Sequence, residues 1–184
     1  MGELILVTGG SASGKSAFSE QIVKKFDNAA RKKITYIATA EIYDEELRQR
    51  VIEHRERRPE HWKTVEACYD LVSPLLELVK TEEVILLDSL SMYVSNKLVS
   101  HTVDKHTLSE VTAAVCEELN RCVNIIEKGK ATVVVVTDEV GWGIIPSNFL
   151  GRAFRDLAGK ANQILGRHAD EAYLVVSGLA QKIK

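Results

Sequence analysis

Cysteines, prolines and long apolar runs are scarce in this chain, and their scarcity excludes several protein classes. Only 3 of the 184 residues are cysteines, and Cys68, Cys116 and Cys122 have no C-x-x-C spacing. Such a scattered, odd set argues against a disulfide framework and is typical of a reducing cytosol. The three prolines form no proline-rich linker, and we find no internal repeat. A cytoplasmic protein is therefore expected.

Membrane segments and an excess of charge of one sign are also missing. No apolar run approaches the roughly 20 residues of a membrane span, and the first apolar run begins at Leu4, which leaves no room for a signal peptide. The net charge of −2 argues against general binding to nucleic acid or to a membrane surface. With 45% hydrophobic residues, the 184 residues are expected to form one domain with a substantial core.

A glycine-rich loop near the start of the chain carries the strongest functional signal. Residues 9–16 read G-G-S-A-S-G-K-S and match G-x-x-x-x-G-K-[ST], the phosphate-binding loop of P-loop nucleotide enzymes. The apolar run Leu4–Val7 before the loop predicts a buried strand. After the loop, Phe18, Ile22 and Phe26 predict a helix with one apolar side. A strand before the loop and a helix after it are the structural context that the motif requires. This context disfavours the alternative interpretation, a glycine-rich turn that binds nothing.

Each residue type in this loop has a role in holding a triphosphate. Gly9 and Gly14 let the backbone approach phosphate oxygens, and successive N–H groups with the helix N-terminus form an anion cradle. Lys15 adds a full positive charge, and the Ser16 hydroxyl is placed to ligate Mg²⁺. The predicted phosphate-binding residues are Gly9, Gly10, Ser11, Ala12, Ser13, Gly14, Lys15 and Ser16.

Apolar runs that alternate with helical patterns predict an α/β fold with a mainly parallel sheet. The runs lack strict alternation, as expected when both sheet faces are covered. Helices are predicted at about 105–127, with Gly129 as its C-cap, and at 149–168. Ligands of such sheets sit beyond the carboxyl ends of the strands. The predicted strands are Leu4–Val7, Ile34–Ala38, Val84–Leu87, Val133–Val136 and Tyr173–Val176.

Two loops that follow predicted strands carry acidic residues. Asp88 stands where a P-loop protein is expected to place its second Mg²⁺ ligand, although an N-cap for the next helix is the alternative. The irregular loop 137–146 holds Asp138, Glu139 and Trp142 at the ligand-binding edge. Its alternative interpretation is a turn with solvated acids. In the last predicted helix, Arg152, Arg155 and Asp156 are spaced to pair with one another and Asn162 and Gln163 follow.

Residues 48–63 read R-Q-R-V-I-E-H-R-E-R-R-P-E-H-W-K and form an unusually charged segment. One interpretation is a solvated helix face, and the other is an anion-handling patch brought over the phosphate loop. A neutral histidine there, His54, could act as a nucleophile. Because only Leu47, Val51 and Ile52 anchor this helix, we expect it to be mobile and to close over nucleotide. The remaining histidines are expected to be surface or packing residues: His61, His101, His106 and His168.

Six stretches, in this order, carry a family resemblance: L-I-L-V-T-G-G-S-A-S-G-K-S, Y-I-A-T-A, H-R-E-R-R-P-E-H-W, T-D-E-V-G-W-G-I-I-P, F-R-D-L-A-G-K-A-N-Q and V-V-S-G-L-A-Q-K-I-K. The chain resembles, over essentially its whole length, the bifunctional adenosylcobinamide kinase/adenosylcobinamide-phosphate guanylyltransferase (CobU) family of cobalamin biosynthesis. The H-x-x-x-R-P-x-H-W and T-[ND]-E-V-G-x-G-I-[IV]-P stretches are far more specific than the phosphate loop.

The resemblance implies a P-loop NTPase fold with a RecA-like sheet, helices on both faces, a homotrimer and two reactions. In the first, ATP or GTP phosphorylates a hydroxyl of adenosylcobinamide. In the second, GTP guanylylates an active-site histidine, and adenosylcobinamide phosphate then takes the GMP to give adenosylcobinamide-GDP. Mg²⁺ is the implied metal.

The family's functional residues fall on positions of this sequence. The nucleophile falls on His54 and the metal ligand on Asp88, beside Ser16; Lys15 is the second catalytic candidate. This chain departs from the family pattern with Glu53 before the nucleophile, Arg57 where glycine is frequent, and an aspartate at 88 where glutamate is frequent. The remaining nucleotide contacts fall on Gly9–Ser16, Ala38, Thr39, Ala40, Arg55, Glu56, Arg57, Arg58 and Glu66.

Three alternatives stay open at the level of sequence. One is a P-loop small-molecule kinase without a covalent intermediate, and another is a family member that kept only guanylyl transfer. The third is a nucleotide-dependent switch, which is weakened because residues 96–99 read N-K-L-V and lack the aspartate of the N-K-x-D guanine signature.

Overall fold

The computed structural model describes residues 1–30, 32–81, 83–100 and 103–184, without the side chains of residues 28–30, 46, 47 and 50. His101 and the side chain of Leu47 therefore lie outside the described residues. The strands are β1 (Glu3–Gly9), β2 (Ile34–Ala38), β3 (Lys63–Glu66), β4 (Val84–Asp88), β5 (Thr132–Asp138), β6 (Glu171–Val176) and β7 (Leu179–Lys182). The helices are α1 (Lys15–Ala30), α2 (Glu45–Glu56), α3 (Val72–Leu78), α4 (Leu90–Ser100), α5 (Leu108–Lys128) and α6 (Phe149–His168).

The strands form one sheet in the order β3-β2-β4-β5-β1-β6-β7. Every neighbouring pair is parallel except the terminal β6–β7 hairpin, which is antiparallel. The sheet confirms the predicted mainly parallel α/β fold, and all five predicted apolar runs are strands. The edge strands β3 and β7 were not predicted, because they are short and mostly exposed.

Apolar side chains cover both faces of the sheet. Neighbouring residues of one strand point to opposite sides, so that Val133 and Val135 join one buried cluster and Val134 and Val136 the other. The first cluster packs against α3, α4, α5 and α6, and the second packs against α1. Helices on both faces, the P-loop NTPase arrangement, are thereby confirmed.

The two predicted helices are α5 and α6, and α6 has the predicted bounds. Helix α5 begins at Leu108 instead of about 105 because Asp104 holds a turn before it: its carboxylate accepts the N–H groups of His106 and Thr107, both at 2.8 Å. Gly129 is the C-cap of α5, as predicted. Among the described residues, no helix is both long enough and apolar enough to span a membrane.

Strand register brings the glycine loop and the residues that end β2, β4 and β5 to one edge of the sheet. Ala38 at the end of β2 lies beside Asp88 at the end of β4, and Gly9 at the end of β1 lies beside Asp138 at the end of β5. The carboxyl ends of four central strands therefore surround the glycine loop, where an open α/β sheet binds its ligands.

Candidate active site

The glycine loop wraps the start of α1 in a backbone conformation that needs glycine. Gly14 has φ +98°, which L side chains rarely adopt, and a Cβ added to Gly9 would lie 2.3 Å from the carbonyl oxygen of Val175. The Gly178 amide, in the β6–β7 turn, donates to the Ser13 carbonyl at 2.8 Å. Two strands besides β1 thus fix the position of the loop.

Lys15 is buried between two oxygen acceptors. Its ammonium lies 2.7 Å from Asp138 Oδ1 and donates to the Gly10 carbonyl at 2.6 Å, and its side chain is only 8% exposed. The Ser91 hydroxyl donates to the other oxygen of Asp138 at 2.5 Å. Asp138 is therefore part of the phosphate-loop site, and the alternative of a solvated acid is wrong for it. Glu139 does belong to a turn, since its carboxylate accepts the Gly141 N–H at 2.8 Å.

Asp88 is a nearly buried carboxylate at the end of β4. Burial raises its pKa, but hydrogen bonds with His54, Tyr36 and Ser16 outweigh burial and leave the pKa below its ordinary value. The carboxylate is therefore ionised at neutral pH. The N-cap alternative is wrong for Asp88, because the Met92 N–H at the start of α4 donates to the hydroxyl of Ser89 instead.

His54, in the last turn of α2, faces this carboxylate. Its Nδ1 lies 3.6 Å from Asp88 Oδ2, and its side chain is 33% exposed. Arg58 Nε donates to the His54 carbonyl at 2.9 Å, and the Arg58 guanidinium lies 3.3 Å from the centre of the Tyr36 ring. The structure thus brings together the predicted nucleophile, the predicted metal ligand and, through Ser16, the glycine loop.

Comparison with known proteins decides which P-loop family this is. A family model described as cobinamide kinase / cobinamide phosphate guanyltransferase matches residues 5–183. The chain belongs to the CobU family.

Curated relatives match the CobU-family chain over almost its whole length. A bifunctional adenosylcobalamin biosynthesis protein CobU of Escherichia coli (strain K12) is 39% identical, covering 98% of this chain and 99% of the relative. The CobU protein of Salmonella typhimurium is 37% identical with the same coverage. A bifunctional adenosylcobalamin biosynthesis protein CobP of Pseudomonas aeruginosa is 30% identical over 97% of this chain and 96% of the relative.

Thr39, a predicted nucleotide contact at the end of β2, connects the ends of neighbouring strands in this CobU-family site. The Thr39 hydroxyl donates to the Ser89 carbonyl at 2.7 Å and accepts the Ser89 N–H at 2.9 Å. The buried amide of Asn96 donates to the Thr39 carbonyl at 2.7 Å. Ala38 lies beside Glu66 in the β2–β3 register, and Ala40, one residue past Thr39, is half-buried. Hydrogen bonds between side chains and backbone therefore join the end of β2 to the residues that follow β4 and to α4.

The charged segment of the CobU-family chain divides into two parts. His54 and Arg58 turn inward, whereas Arg55, Glu56 and Arg57 are exposed. The solvated interpretation applies to the exposed residues, and the interpretation as an anion-handling patch stays a prediction. The exposed three are the last two residues of α2 and the residue that follows them.

His61 and Trp62 tie the end of this segment to α1. The Trp62 indole N–H donates to Asp27 at 3.1 Å, and His61 Nε2 lies 2.8 Å from the same carboxylate oxygen. These two contacts hold the pKa of Asp27 below its ordinary value. As expected, His61 and His168 are surface residues with carboxylate partners, His168 pairing with Glu127 at 2.8 Å.

Side chains of α6 support the acidic loop. Arg155 lies 3.8 Å from Asp156, as expected, but Arg152 donates to the carbonyls of Pro146 and Ser147 instead of joining that pair. Asn162 donates to the Asp138 carbonyl at 3.0 Å. Sequence reasoning missed the site partners Tyr36 and Ser91, because a tyrosine inside a strand and a serine inside a helix carry no motif signal.

Proposed function

We propose that this CobU-family chain catalyses two successive reactions of cobalamin biosynthesis in one domain comprising residues 1–184. It is a kinase and a nucleotidyltransferase: it phosphorylates adenosylcobinamide and then converts the phosphate to adenosylcobinamide-GDP. The observation that supports the second reaction best is the His54 imidazole beside Asp88, next to the phosphate loop. A plain kinase would have no use for an imidazole held in that place.

In the kinase reaction, the acceptor hydroxyl oxygen attacks the γ-phosphorus of ATP or GTP, and the hydroxyl proton is released to solvent. The bond from that phosphorus to the β–γ bridging oxygen breaks, and the nucleoside diphosphate leaves. Charge builds on the phosphoryl and leaving oxygens. The loop amides and Lys15 stabilise this charge where it develops, which is the main protein contribution to phosphoryl transfer.

In the guanylyl transfer, His54 attacks the α-phosphorus of GTP. Since Nδ1 faces Asp88 at 3.6 Å, Nε2 is the nitrogen that forms the bond, and pyrophosphate leaves. The imidazole ring gains positive charge, which the Asp88 carboxylate stabilises. A phosphate oxygen of adenosylcobinamide phosphate then attacks the same phosphorus, the P–N bond breaks, and His54 is regenerated.

The residues present fit a Mg²⁺ ion. Ser16 hydrogen-bonds to Asp88, whose pKa lies below its ordinary value, so a hydroxyl and an ionised carboxylate are adjacent beside the phosphate loop. Among the residues the structure describes, no group of three or more His, Cys, Asp and Glu side chains could hold a metal, which suits an ion bound mainly by phosphates and water. Mg²⁺ held by Ser16 and Asp88 would neutralise triphosphate charge.

We also propose a homotrimer in the cytoplasm. Three free thiols suit a reducing compartment. An exposed apolar surface lies on the segment after β5, and subunit contact would remove it from water. Its residues are Trp142, Ile144, Ile145 and Leu150.

Incubation with GTP labelled at the α-phosphate, in the presence of Mg²⁺, tests the covalent step. We expect the protein to retain labelled GMP in an acid-labile, base-stable bond, and His54→Ala to retain none while still phosphorylating adenosylcobinamide. His168→Ala, which removes a surface histidine paired with Glu127, is the matched control and should be labelled like the wild type, whereas Lys15→Ala should lose both activities. Labelling of His54→Ala would refute the assignment, and an unlabelled wild type with kinase activity would favour the plain kinase.

A further inference from the structure

Four residues form a ring of contacts beside the phosphate loop. Asp88 faces His54 Nδ1, the His54 backbone carbonyl accepts from Arg58, the Arg58 guanidinium stacks on the Tyr36 ring, and Tyr36 lies close to Asp88 on the same face of the sheet. The distances are 3.6 Å for the first contact, 2.9 Å for the second and 3.3 Å for the third. The fourth contact raises the pKa of Tyr36 further, beyond the effect of its burial. We call this ring the histidine latch.

Tyr36 is the fixed part of the latch. It lies in β2, is 3% exposed, and stands opposite Leu86 of the central strand β4. Its ring cannot move without disturbing the sheet, because protein interiors are close-packed. The ring and hydroxyl therefore present a rigid surface to Arg58 and Asp88.

Arg58 connects this surface to the helix that carries His54. Helix α2 ends at Glu56, so the His54 carbonyl is one of the last four, which have no partner within the helix. Arg58 Nε provides that partner at 2.9 Å. A guanidinium is suited to both contacts, since it is planar for stacking and rigid for hydrogen bonding.

Nothing else in α2 provides comparable anchoring among its described side chains. None of them is fully buried: Val51 is half-buried and Ile52 is 41% exposed. The position of the His54 imidazole therefore depends on the latch more than on apolar packing.

We infer that Tyr36 and Arg58 are positioning residues for guanylyl transfer, which hold His54 against Asp88 through the histidine latch. This inference rests on the proposed covalent function of His54. The kinase reaction uses the same phosphate loop but not His54, so it provides an internal reference. A misplacement of about 1 Å can reduce a reaction rate by about 100-fold. Loss of the latch should therefore slow guanylyl transfer and not the kinase reaction.

The experiment measures, in each preparation, the rate of labelling by α-labelled GTP and the rate of adenosylcobinamide phosphorylation. Tyr36→Phe keeps the ring under Arg58 but loses the hydroxyl, and Tyr36→Leu loses both contacts. We expect the ratio of labelling to phosphorylation to fall by about 10-fold or more for Tyr36→Leu and less for Tyr36→Phe. Tyr173→Phe is the control, because it removes a tyrosine–carboxylate bond, to Glu171 at 2.6 Å, elsewhere in the sheet.

Arg58→Lys separates positioning from nucleotide binding. A positioning role predicts a lower maximal rate of labelling with little change in the KM for GTP. If Arg58 contacted GTP instead, the KM would rise in both reactions and the inference would be overturned for Arg58. Arg48→Lys on the same helix, whose partner is the exposed Glu45, should leave both reactions unchanged.

The outcomes distinguish this inference from the proposed function itself. An unlabelled wild type would refute the covalent mechanism, whereas a labelled wild type with an unchanged ratio in Tyr36→Leu would refute only the latch. A parallel fall in both rates would also refute it, since that is the signature of a general structural role. Thermal unfolding of each variant identifies one that has failed to fold, and Tyr36→Phe, the mildest change, then provides the decisive ratio.

Discussion

Lys15 is a buried cation with a carboxylate partner. Its ammonium is paired with Asp138 at 2.7 Å. Phosphate oxygens carry the same sign of charge as that carboxylate and need the same ammonium. We therefore expect Asp138 to compete with a bound triphosphate for the Lys15 ammonium.

Substitution Asp138→Asn tests this role. Because the pair is buried on the lysine side but 32% exposed on the aspartate side, we expect the free energy of unfolding to fall by about 1–3 kcal/mol without nucleotide. With GTP bound, the difference should shrink, since the triphosphate then compensates the ammonium. Urea unfolding with and without GTP measures both values.

Glu139→Gln is the matched control for that experiment, because its carboxylate serves a turn and not Lys15. An equal loss of stability in Asp138→Asn with and without GTP would show that Asp138 does not compete with phosphate for Lys15.

At this scale, sequence could predict only residues that belong to a motif or carry a charge at a strand end. Lys15, Ser16 and Asp88 met that condition, and so did Asp138, whose role stayed open between site and turn. Tyr36 and Ser91 could not be found, because their roles depend on which atoms of distant segments they meet after folding. From the family resemblance, Arg58 was expected to contact nucleotide. Its stacking on the Tyr36 ring could not be predicted, because no pattern of charge in the sequence indicates such a contact.

Helix α2 is the element whose function most depends on weak packing. It carries His54, the proposed nucleophile, yet none of its described side chains is fully buried. Elements with few buried contacts open at low free-energy cost. We expect trypsin to cleave between Arg48 and Arg58 in the free protein, and GTP to slow that cleavage severalfold by closing the helix over the triphosphate.

Cleavage after Lys80, which lies before β4 at the opposite end of the sheet, is the internal control and should not respond to GTP. Gel analysis of a time course gives both rates at once. An unchanged rate at α2 would contradict closure over nucleotide.

The end of the segment after α2, at His61 and Trp62, is tied to one carboxylate of α1, that of Asp27. The Trp62 and His61 contacts lower the pKa of Asp27 from its ordinary value of 3.8. A carboxyl with a lowered folded-state pKa stabilises the fold fully above the unfolded-state pKa and loses this contribution as the pH falls through the folded-state pKa. We expect Asp27→Asn to cost about 1 kcal/mol at neutral pH.

That cost should be constant down to about pH 5 and should shrink below about pH 4, where the wild-type carboxyl becomes protonated. Denaturant unfolding of both proteins across this range measures it. Asp156→Asn, an exposed aspartate of α6, serves as the control, and a cost that does not vary with pH would argue against an ionised Asp27 as the source.

Among the elements, the buried strands were predictable and the edge strands were not. The runs that became β1, β2, β4, β5 and β6 are apolar because the sheet is covered on both sides. In contrast, β3 reads K-T-V-E and β7 reads L-A-Q-K, and neither has a run that distinguishes a strand from a loop. These two segments become strands because they pair with their neighbours in the sheet, β3 with β2 and β7 with β6.

The molecule as a whole derives its stability from two apolar layers that share one sheet. Leu119, at 1% exposure in α5, belongs to the larger layer. Leu119→Ala should lower the free energy of unfolding by about 2–5 kcal/mol, because it removes buried atoms and leaves a cavity. Leu179→Ala, at 77% exposure in β7, should change it by no more than about 0.5 kcal/mol.

Urea unfolding of the two variants compares the same chemical change inside and outside the core. Equal effects would contradict the assignment of α5 to the main core. Sequence predicted this layer well, since the apolar side of α5 has a helical period over six turns. It could not predict the strand order, which depends on how the connections cross the sheet.

The hydrogen bond from the Gly178 amide to the Ser13 carbonyl has a practical meaning for work with this protein. It places the turn of the last hairpin directly against the proposed nucleotide-binding loop, so segments from the beginning and the end of the sequence meet at one site. A recombinant version shortened at its C-terminus before residue 178 would lose that support and bind GTP poorly.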